Sequence, residues 1–98
     1  MKKVFISQPM RDLSDTEIKE ERKAIKQTII KEYGDVEFID SYFEGAPANA
    51  NPMWFLGKSL ELLSMADMAF FAKDWESARG CRIEHITAEE YGIEIIHD

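Results

Sequence analysis

The chain has 98 residues, of which 45% are hydrophobic and 32% charged, and this composition is ordinary for one soluble domain with a single core. Its net charge of −7 argues against general binding to nucleic acid polymers or membranes, although a local arginine cluster can still bind a small anion. No apolar run approaches the roughly 18 residues that span a bilayer, and the apolar start is too short for a signal peptide. We therefore expect a cytoplasmic protein. The single cysteine, Cys81, excludes an internal disulfide, and neither a metal nor a cofactor is expected.

The first half of the chain predicts a strand, a helix and a second strand. Val4–Ser7 is short and rich in β-formers, and the loop Ser7–Leu13 follows it. Ser14 and Glu17 have the spacing of a capping box, which predicts a helix from Asp15 to about Glu32. Gly34 suits a left-handed helix end, and Val36–Ile39 predicts the second strand, ending at Asp40. The predicted apolar stripe of this helix is Ile18, Ile25 and Ile29, and the face expected to be solvated carries Lys19, Glu20, Arg22, Lys23, Lys26 and Lys31.

The second half predicts two helices and two further strands. Ser41–Asn51 is a long loop, and its length suggests function or mobility. Asn51 and Pro52 are typical of a helix entry, and the helix Met53–Met65 is so apolar that it is either deeply buried or in contact with a partner chain. Met68–Ala72 predicts a buried third strand. The predicted helix Cys81–Tyr91, closed by Gly92, and the strand Ile93–Ile96 complete the chain.

The order β-α-β-α-β-α-β predicts one α/β domain over residues 1–98, with a mainly parallel sheet and helices on both faces. We expect a small doubly wound, Rossmann-like sheet of about four strands in the order 2-1-3-4. In such a sheet the ligand crevice lies at the carboxyl ends of the strands, where the strand order reverses. That point is between the first and third strands.

The loops that meet at this point carry the polar side chains of a small pocket. Two arginines and a helix N-terminus suit a phosphate, an aromatic side chain suits a ring, and the carboxylate of Glu84 suits a sugar. Glu84 falls in the first or second turn of the last helix, where the helix dipole favours a negative charge. Ordinary turn and helix-start chemistry is the alternative explanation for these residues. The pocket residues are Ser7, Gln8 and Arg11 from the first loop, Trp75, Ser77, Arg79 and Gly80 from the second, and Asp40 after the second strand.

Three other candidate motifs do not predict a functional site. Gly57-Lys58-Ser59 resembles the end of a phosphate-binding loop, but the required earlier glycine is Pro52 and no strand precedes it. His85 and His97 lack the companions of a metal site. Cys81 lies at a helix start, a position that lowers a thiol pKa, but no accompanying histidine and asparagine are evident, so a catalytic thiol is not expected.

Four segments resemble the nucleoside 2-deoxyribosyltransferase-like superfamily, including its short phage and bacterial members and the 2′-deoxynucleoside 5′-phosphate N-hydrolases. The resemblance extends over nearly the whole chain, and these segments carry it. They are residues 3–11 (KVFISQPMR), 51–59 (NPMWFLGKS), 66–67 (AD) and 78–84 (ARGCRIE).

The resemblance implies that Glu84, in Gly80-Cys81-Arg82-Ile83-Glu84, attacks the anomeric carbon of a (deoxy)ribosyl group and displaces the base. It also implies that Ser7, Arg11 and Ser77 bind a 5′-phosphate. Family members are generally dimers, so a homodimer that binds a nucleoside or nucleotide is expected. The substrate-binding residues implied in this way also include Pro9, Met10 and Trp54.

Three departures from the family pattern keep alternatives open. No aspartate matches the acid that usually assists the leaving base, and Glu61 is the nearest acidic residue. The chain stops after the fourth predicted strand, and Arg82 is bulkier than is usual in this turn. The alternatives are a nucleotide-binding or sequestering module without catalysis, and a nicotinamide glycosidase, whose dinucleotide substrate is large for the predicted pocket.

Overall fold

The computed structural model describes residues 1–43 and 45–98, and Glu44 lies outside the described residues. Within these ranges the strands are all parallel and ordered β2-β1-β3-β4, so the predicted α/β class and Rossmann-like strand order are confirmed. None of the helices in these ranges is long and apolar enough to cross a membrane. The elements are β1 Lys2–Ser7, α1 Asp15–Tyr33, β2 Val36–Ile39, α2 Pro52–Leu63, β3 Met68–Phe71, α3 Arg79–Glu90 and β4 Glu94–His97, with a 3₁₀ turn at Trp75–Ser77.

Capping residues recognisable in the sequence mark the starts of α1 and α2. At α1 the Glu17 amide donates to Ser14 Oγ over 3.1 Å, and the Ser14 amide donates to the Glu17 carboxylate over 2.9 Å. At α2 the Trp54 amide donates to the side chain of Asn51 over 2.9 Å, and Pro52 is the first helical residue. The capping box and the Asn-Pro entry are therefore confirmed. Gly34 has a positive φ of 77°, but its ψ of −147° lies outside the left-handed helical region that was predicted.

The alternation of side chains along β1 divides the core into two layers. Val4 and Ile6 pack on the α1 side, in a cluster with Ile25 and Ile29. Phe5 packs on the other side, where α2 and α3 contribute Leu63 and Ala88. The same alternation directs the Ser7 side chain towards α3 and the Gln8 side chain towards α1, so these consecutive side chains lie on opposite faces of the sheet.

Arg22 corrects the prediction of a solvated charged face on α1. It is only 6% exposed and lies between Ile18 and Ile25 on the buried stripe of the helix. The spacing of positions 18, 22, 25 and 29 is that of one helical face, so the period of the helix places Arg22 inward whatever its polarity.

Helix α2 is not deeply buried within the chain. Leu63 is its only buried residue, whereas Met53 is 78% exposed and Phe55 is 38% exposed. Ile86 on α3 is 56% exposed. The described residues therefore leave apolar side chains of α2 and α3 in contact with solvent.

Two shifts of element boundaries affect the site. α3 begins at Arg79, two residues before its predicted start at Cys81. β4 begins at Glu94, one residue after its predicted start at Ile93. Arg79, Gly80 and Cys81 therefore belong to the first turn of α3, and Glu84 lies in the second turn.

Candidate functional site

The carboxyl group of Glu84 is buried at the carboxyl end of the sheet and is held by the last residue of β1. Ser7 Oγ donates a hydrogen bond to Glu84 Oε1 over 2.6 Å. Glu84 is 8% exposed and Ser7 is 1% exposed. A short bond of this kind to a charged acceptor is among the strong hydrogen bonds of proteins. The strand end and the second helical turn thus fix one carboxylate oxygen, and the Ser59 hydroxyl of α2 also acts on the carboxyl group.

Burial raises the pKa of Glu84, because the interior solvates a carboxylate poorly. The Ser7 hydrogen bond, the nearby Ser59 hydroxyl and the positive charge of Arg22 act in the opposite direction and support the ionised form. A buried carboxyl group with a raised pKa in a pocket is a frequent feature of catalytic and binding sites.

A second polar network lies on the α1 side of the same strand end. The Arg22 guanidinium donates from Nε to Gln8 Oε1 over 3.2 Å and from Nη1 to Ser41 Oγ over 3.1 Å. Gln8 Nε2 in turn donates to the backbone carbonyl of Ile18 and to the carboxylate of Glu21. Ser41 donates to the carbonyl of Ile6, so the network ties α1 and the loop after β2 to β1.

A pocket of about 280 Å³ opens beside Glu84. This volume is near the lower end of the range for small-molecule sites, roughly 300–1,000 Å³. Gly80 borders it, and a Cβ atom added at Gly80 would meet no atom within 4 Å, so the first turn of α3 leaves open space there. Among the described residues that line the pocket, Glu84 is the only carboxylate. The other residues that line it include Gln8, Pro9, Met10, Tyr42, Phe43, Phe55 and Ser59.

A second cavity, of about 540 Å³, lies at the N-terminus of α3. Arg11, Ser77, Arg79 and Gly80 all line it, so the structure brings together four predicted residues from two loops. Arg82 also lines it and donates to the Glu76 carbonyl over 2.9 Å. Arginine side chains beside the first amides of a helix form a typical environment for an anion.

Three predicted site residues lie elsewhere. Trp75 stacks on His85 with ring centroids 4.0 Å apart, and His85 Nε2 is 2.9 Å from His97 Nε2. Trp54 packs edge-on against Phe43 and Phe55 and does not line the pocket beside Glu84. Asp40 lies on the wall of a separate groove on the α1 side.

Sequence reasoning did not assign Arg22, Ser41 or Ser59 to the site. Arg22 was detectable, because it continues an apolar helical stripe. Ser59 was detectable in part, because it shares a face of α2 with Pro52, Phe55 and Leu56, which line the neighbouring cavity. Ser41 carries no local signal, since it reaches Arg22 through the packing of β2 against β1.

Cys81 corrects the expectation that its helix-start position lowers its pKa. The side chain is 4% exposed, and burial raises the pKa of the thiol to about 11. The thiol is therefore protonated at neutral pH. In residues 1–43 and 45–98, no group of three or more His, Cys, Asp or Glu side chains is arranged to hold a metal ion.

Two non-glycine residues with positive φ flank the site. Asp12, with φ of 66°, lies in the loop after β1, and Asp74, with φ of 65°, lies in the loop after β3. Aspartate tolerates this region better than most residues, but the conformation still carries a cost. Both loops border the cavity at the N-terminus of α3, and local strain of this kind concentrates at functional sites.

Comparison with known proteins supports the fold alone. No family model and no curated protein matches the chain. A solved structure described as a conserved protein from Enterococcus faecalis V583 superposes with a TM-score of 0.73 at 16% sequence identity. The match covers 99% of this chain and 62% of that chain, so this chain spans less than two thirds of the length of the solved protein.

Proposed function

We propose that the protein cleaves the N-glycosidic bond of a (deoxy)nucleoside or its 5′-monophosphate, either by hydrolysis or by transfer to a second base, with Glu84 as the nucleophile. The observation that carries this proposal is the buried Glu84 carboxyl group, held at 2.6 Å by Ser7 and facing a small pocket at the start of α3. The sequence resemblance to nucleoside 2-deoxyribosyltransferase-like proteins agrees with it, and the Rossmann-like fold is compatible with it.

In the proposed reaction, a Glu84 oxygen attacks the anomeric carbon and forms a glycosyl ester. The bond from that carbon to the base nitrogen breaks, and the base leaves with the electron pair and takes up a proton from solvent. Water or a second base then attacks the same carbon, gives up a proton to solvent and releases the Glu84 carboxylate. The Ser7 hydrogen bond supports the ionised nucleophile and orients it.

The cavity at the N-terminus of α3 would hold the 5′-phosphate in this scheme. Arg11 and Arg79 supply charge, and the first amides of α3 supply donors. Ser7 was also expected to bind the phosphate, but its hydroxyl already donates to Glu84. We therefore assign the phosphate to Arg11, Arg79 and Ser77 and assign Ser7 to the nucleophile.

The decisive experiment incubates the wild type and the Glu84→Gln variant with a panel of nucleosides and nucleoside 5′-monophosphates and follows free base by chromatography. We expect release by the wild type and none by the variant. Glu90→Gln is the matched control, because Glu90 is an exposed glutamate on the same helix. Tight binding without base release by any of the three proteins would refute the catalytic proposal.

A binding module without catalysis is the second candidate, and one observation favours it. Among the described residues around the pocket, no second carboxylate stands ready to assist the leaving base, and Glu61 is 70% exposed and paired with Lys58. Under this alternative the same ligands bind and are recovered intact.

Arg11→Ala tests the phosphate assignment separately. We expect this variant to bind a nucleoside 5′-monophosphate about tenfold more weakly, the loss of roughly one charge-assisted contact, with little change for the free nucleoside. Isothermal titration of both ligands measures the difference. Equal losses for the two ligands would contradict the assignment.

We further propose that the apolar residues of α2 and α3 contact a second copy of this chain. Met53, Phe55 and Ile86 are exposed on these helices, and Met53 and Phe55 border the cavity next to Glu84. An isologous contact would bury them and enclose the site. Sedimentation at micromolar concentration should show a dimer that Met53→Lys with Ile86→Lys dissociates, and a monomeric wild type would exclude the shared site.

A further inference from the structure

A groove of about 710 Å³ lies along α1, on the side of the sheet away from α2 and α3. We call it the basic groove. Tyr42 and Phe43 line both the basic groove and the pocket beside Glu84, so the two are neighbours with a common wall. The basic groove is lined by Lys19, Arg22, Lys23, Lys26, Phe38, Asp40, Tyr42 and Phe43.

The charge of the basic groove is opposite to that of the chain. The chain carries −7 overall, yet four cationic side chains line this one groove, and Asp40 is the only acid among the described residues that line it. Four pairs of these cations (19/22, 19/23, 22/26 and 23/26) are three or four residues apart along α1, the spacing at which like charges on a helix repel each other. Within the described residues, no carboxylate lies within ion-pair distance of Lys23 or Lys26.

Arg22 adds a buried positive charge that Asp40 and Glu84 stabilise through space, although among the described residues neither carboxylate lies within ion-pair distance of it. It is 6% exposed, and its Nη2 has no hydrogen-bond partner among the described residues. Its other donors meet Gln8 and Ser41, which are neutral. A buried guanidinium without a paired carboxylate is costly, and its field is weakly screened because it lies beneath the groove wall. An anion bound in the groove would offset both the repulsion and the buried charge.

We propose that the basic groove binds a small ligand with two or more linked phosphate groups. Lys19 and Lys26 are separated by about 10 Å along the axis of α1, which exceeds what one phosphate contacts and suits a short chain of phosphates. A long polyanion fits less well, because the acidic surface beyond the groove repels it. Neither Glu84 nor any described residue of the cavity at the start of α3 lines the groove, and this inference does not depend on the proposed reaction.

Isothermal titration with inorganic tripolyphosphate at fixed ionic strength tests the proposal. The wild type should bind about one tripolyphosphate per chain at the groove, and the Lys23→Gln, Lys26→Gln double variant should bind at least about tenfold more weakly. The matched control is Lys31→Gln with Lys58→Gln, which removes the same charge from outside the groove and should change binding by less than about twofold. Thermal melts of all three proteins verify that they are folded.

Three outcomes would overturn the proposal. Equal weakening in both double variants would mean that only net charge matters. Loss of tripolyphosphate binding in Arg11→Ala, with no loss in the groove variant, would place the anion at α3 instead. Tighter binding of a single-stranded oligonucleotide than of tripolyphosphate would show that the proposed ligand class, a short chain of phosphates, is wrong. Failure of the proposed reaction would leave this proposal unaffected, because base release depends on Glu84 and not on Lys23 or Lys26.

Discussion

Replacing Glu84 by glutamine should stabilise the protein at neutral pH. The substitution keeps the shape of the side chain and an acceptor for Ser7 Oγ, which now lies 2.6 Å from the carboxylate, but it removes the buried charge. Burial raises the pKa of Glu84, which means that the folded state favours the protonated form. The ionised group therefore lowers the stability of the wild type at neutral pH, as functional groups often do.

The size of the effect follows from the balance between desolvation and the groups that favour the ionised form, of which the Ser7 hydrogen bond is the largest. Desolvating a carboxylate costs several kcal/mol, and a hydrogen bond to the charged group returns about 1.5–3 kcal/mol. We expect Glu84→Gln to raise the free energy of unfolding by about 1–2 kcal/mol at pH 7, or roughly 4–12 °C in melting temperature for a domain of this size.

The effect of the substitution on stability depends on pH. Because the folded-state pKa is raised, the stabilisation of the protonated wild type is fully present below the unfolded pKa of about 4.3 and is lost as pH rises through the folded value. The advantage of the variant should therefore be largest at neutral pH and smallest below about pH 4.

Thermal and urea unfolding of the wild type, Glu84→Gln and the exposed control Glu90→Gln between pH 3.5 and 7.5 measure this difference. The control should stay within about 0.5 kcal/mol of the wild type throughout. A destabilised Glu84→Gln at pH 7, or a gain that persists unchanged at acidic pH, would refute the argument that Glu84 carries a costly buried charge.

Three further predictions concern neighbouring residues. Ser7→Ala removes the hydrogen bond that lowers the pKa of Glu84. We therefore expect kcat for base release to fall about 10- to 100-fold and the acid limb of the pH profile of kcat to move to higher pH. An acid limb that stays at the same pH would contradict this role of Ser7. Gly80→Ala should stabilise α3 by about 0.5 kcal/mol in thermal melts while weakening nucleotide binding in titrations, and unchanged binding would mean that the ligand does not approach Gly80. The Cys81 thiol, with its pKa raised to about 11, should react with a disulfide reagent at pH 8 at least about 100-fold more slowly in the folded protein than in urea, whereas equal rates would show an accessible thiolate.

Much of the fold follows from local patterns. The caps at Ser14 and Asn51 fix two helix starts because they satisfy backbone donors within a few residues. The short apolar strands alternate with helices, and right-handed connections then allow few strand orders. For this reason the order 2-1-3-4, and with it the switch point between β1 and β3, was predictable from the sequence alone.

The candidate site was predictable only in part. The loops that follow β1 and β3 were expected to meet, and Arg11, Ser77, Arg79 and Gly80 do line one cavity. Trp75 belongs to the same loop but turns to stack on His85, because the 3₁₀ turn directs it towards α3. Membership of a loop fixes the neighbourhood of a residue, whereas the direction of its side chain depends on the partners that pack around it.

By itself, the sequence determined the parallel sheet, the helix starts and the position of Glu84 near the N-terminus of a helix, since these depend on periodicity and on contacts between close neighbours along the chain. Only the tertiary structure decided that Ser7 bonds to Glu84 while Gln8, the next residue, bonds to Arg22 on the opposite face. It also decided that Arg22 is buried with an unpaired Nη2. These contacts join positions far apart in sequence, and they exist only because β1 ends between two layers of helices.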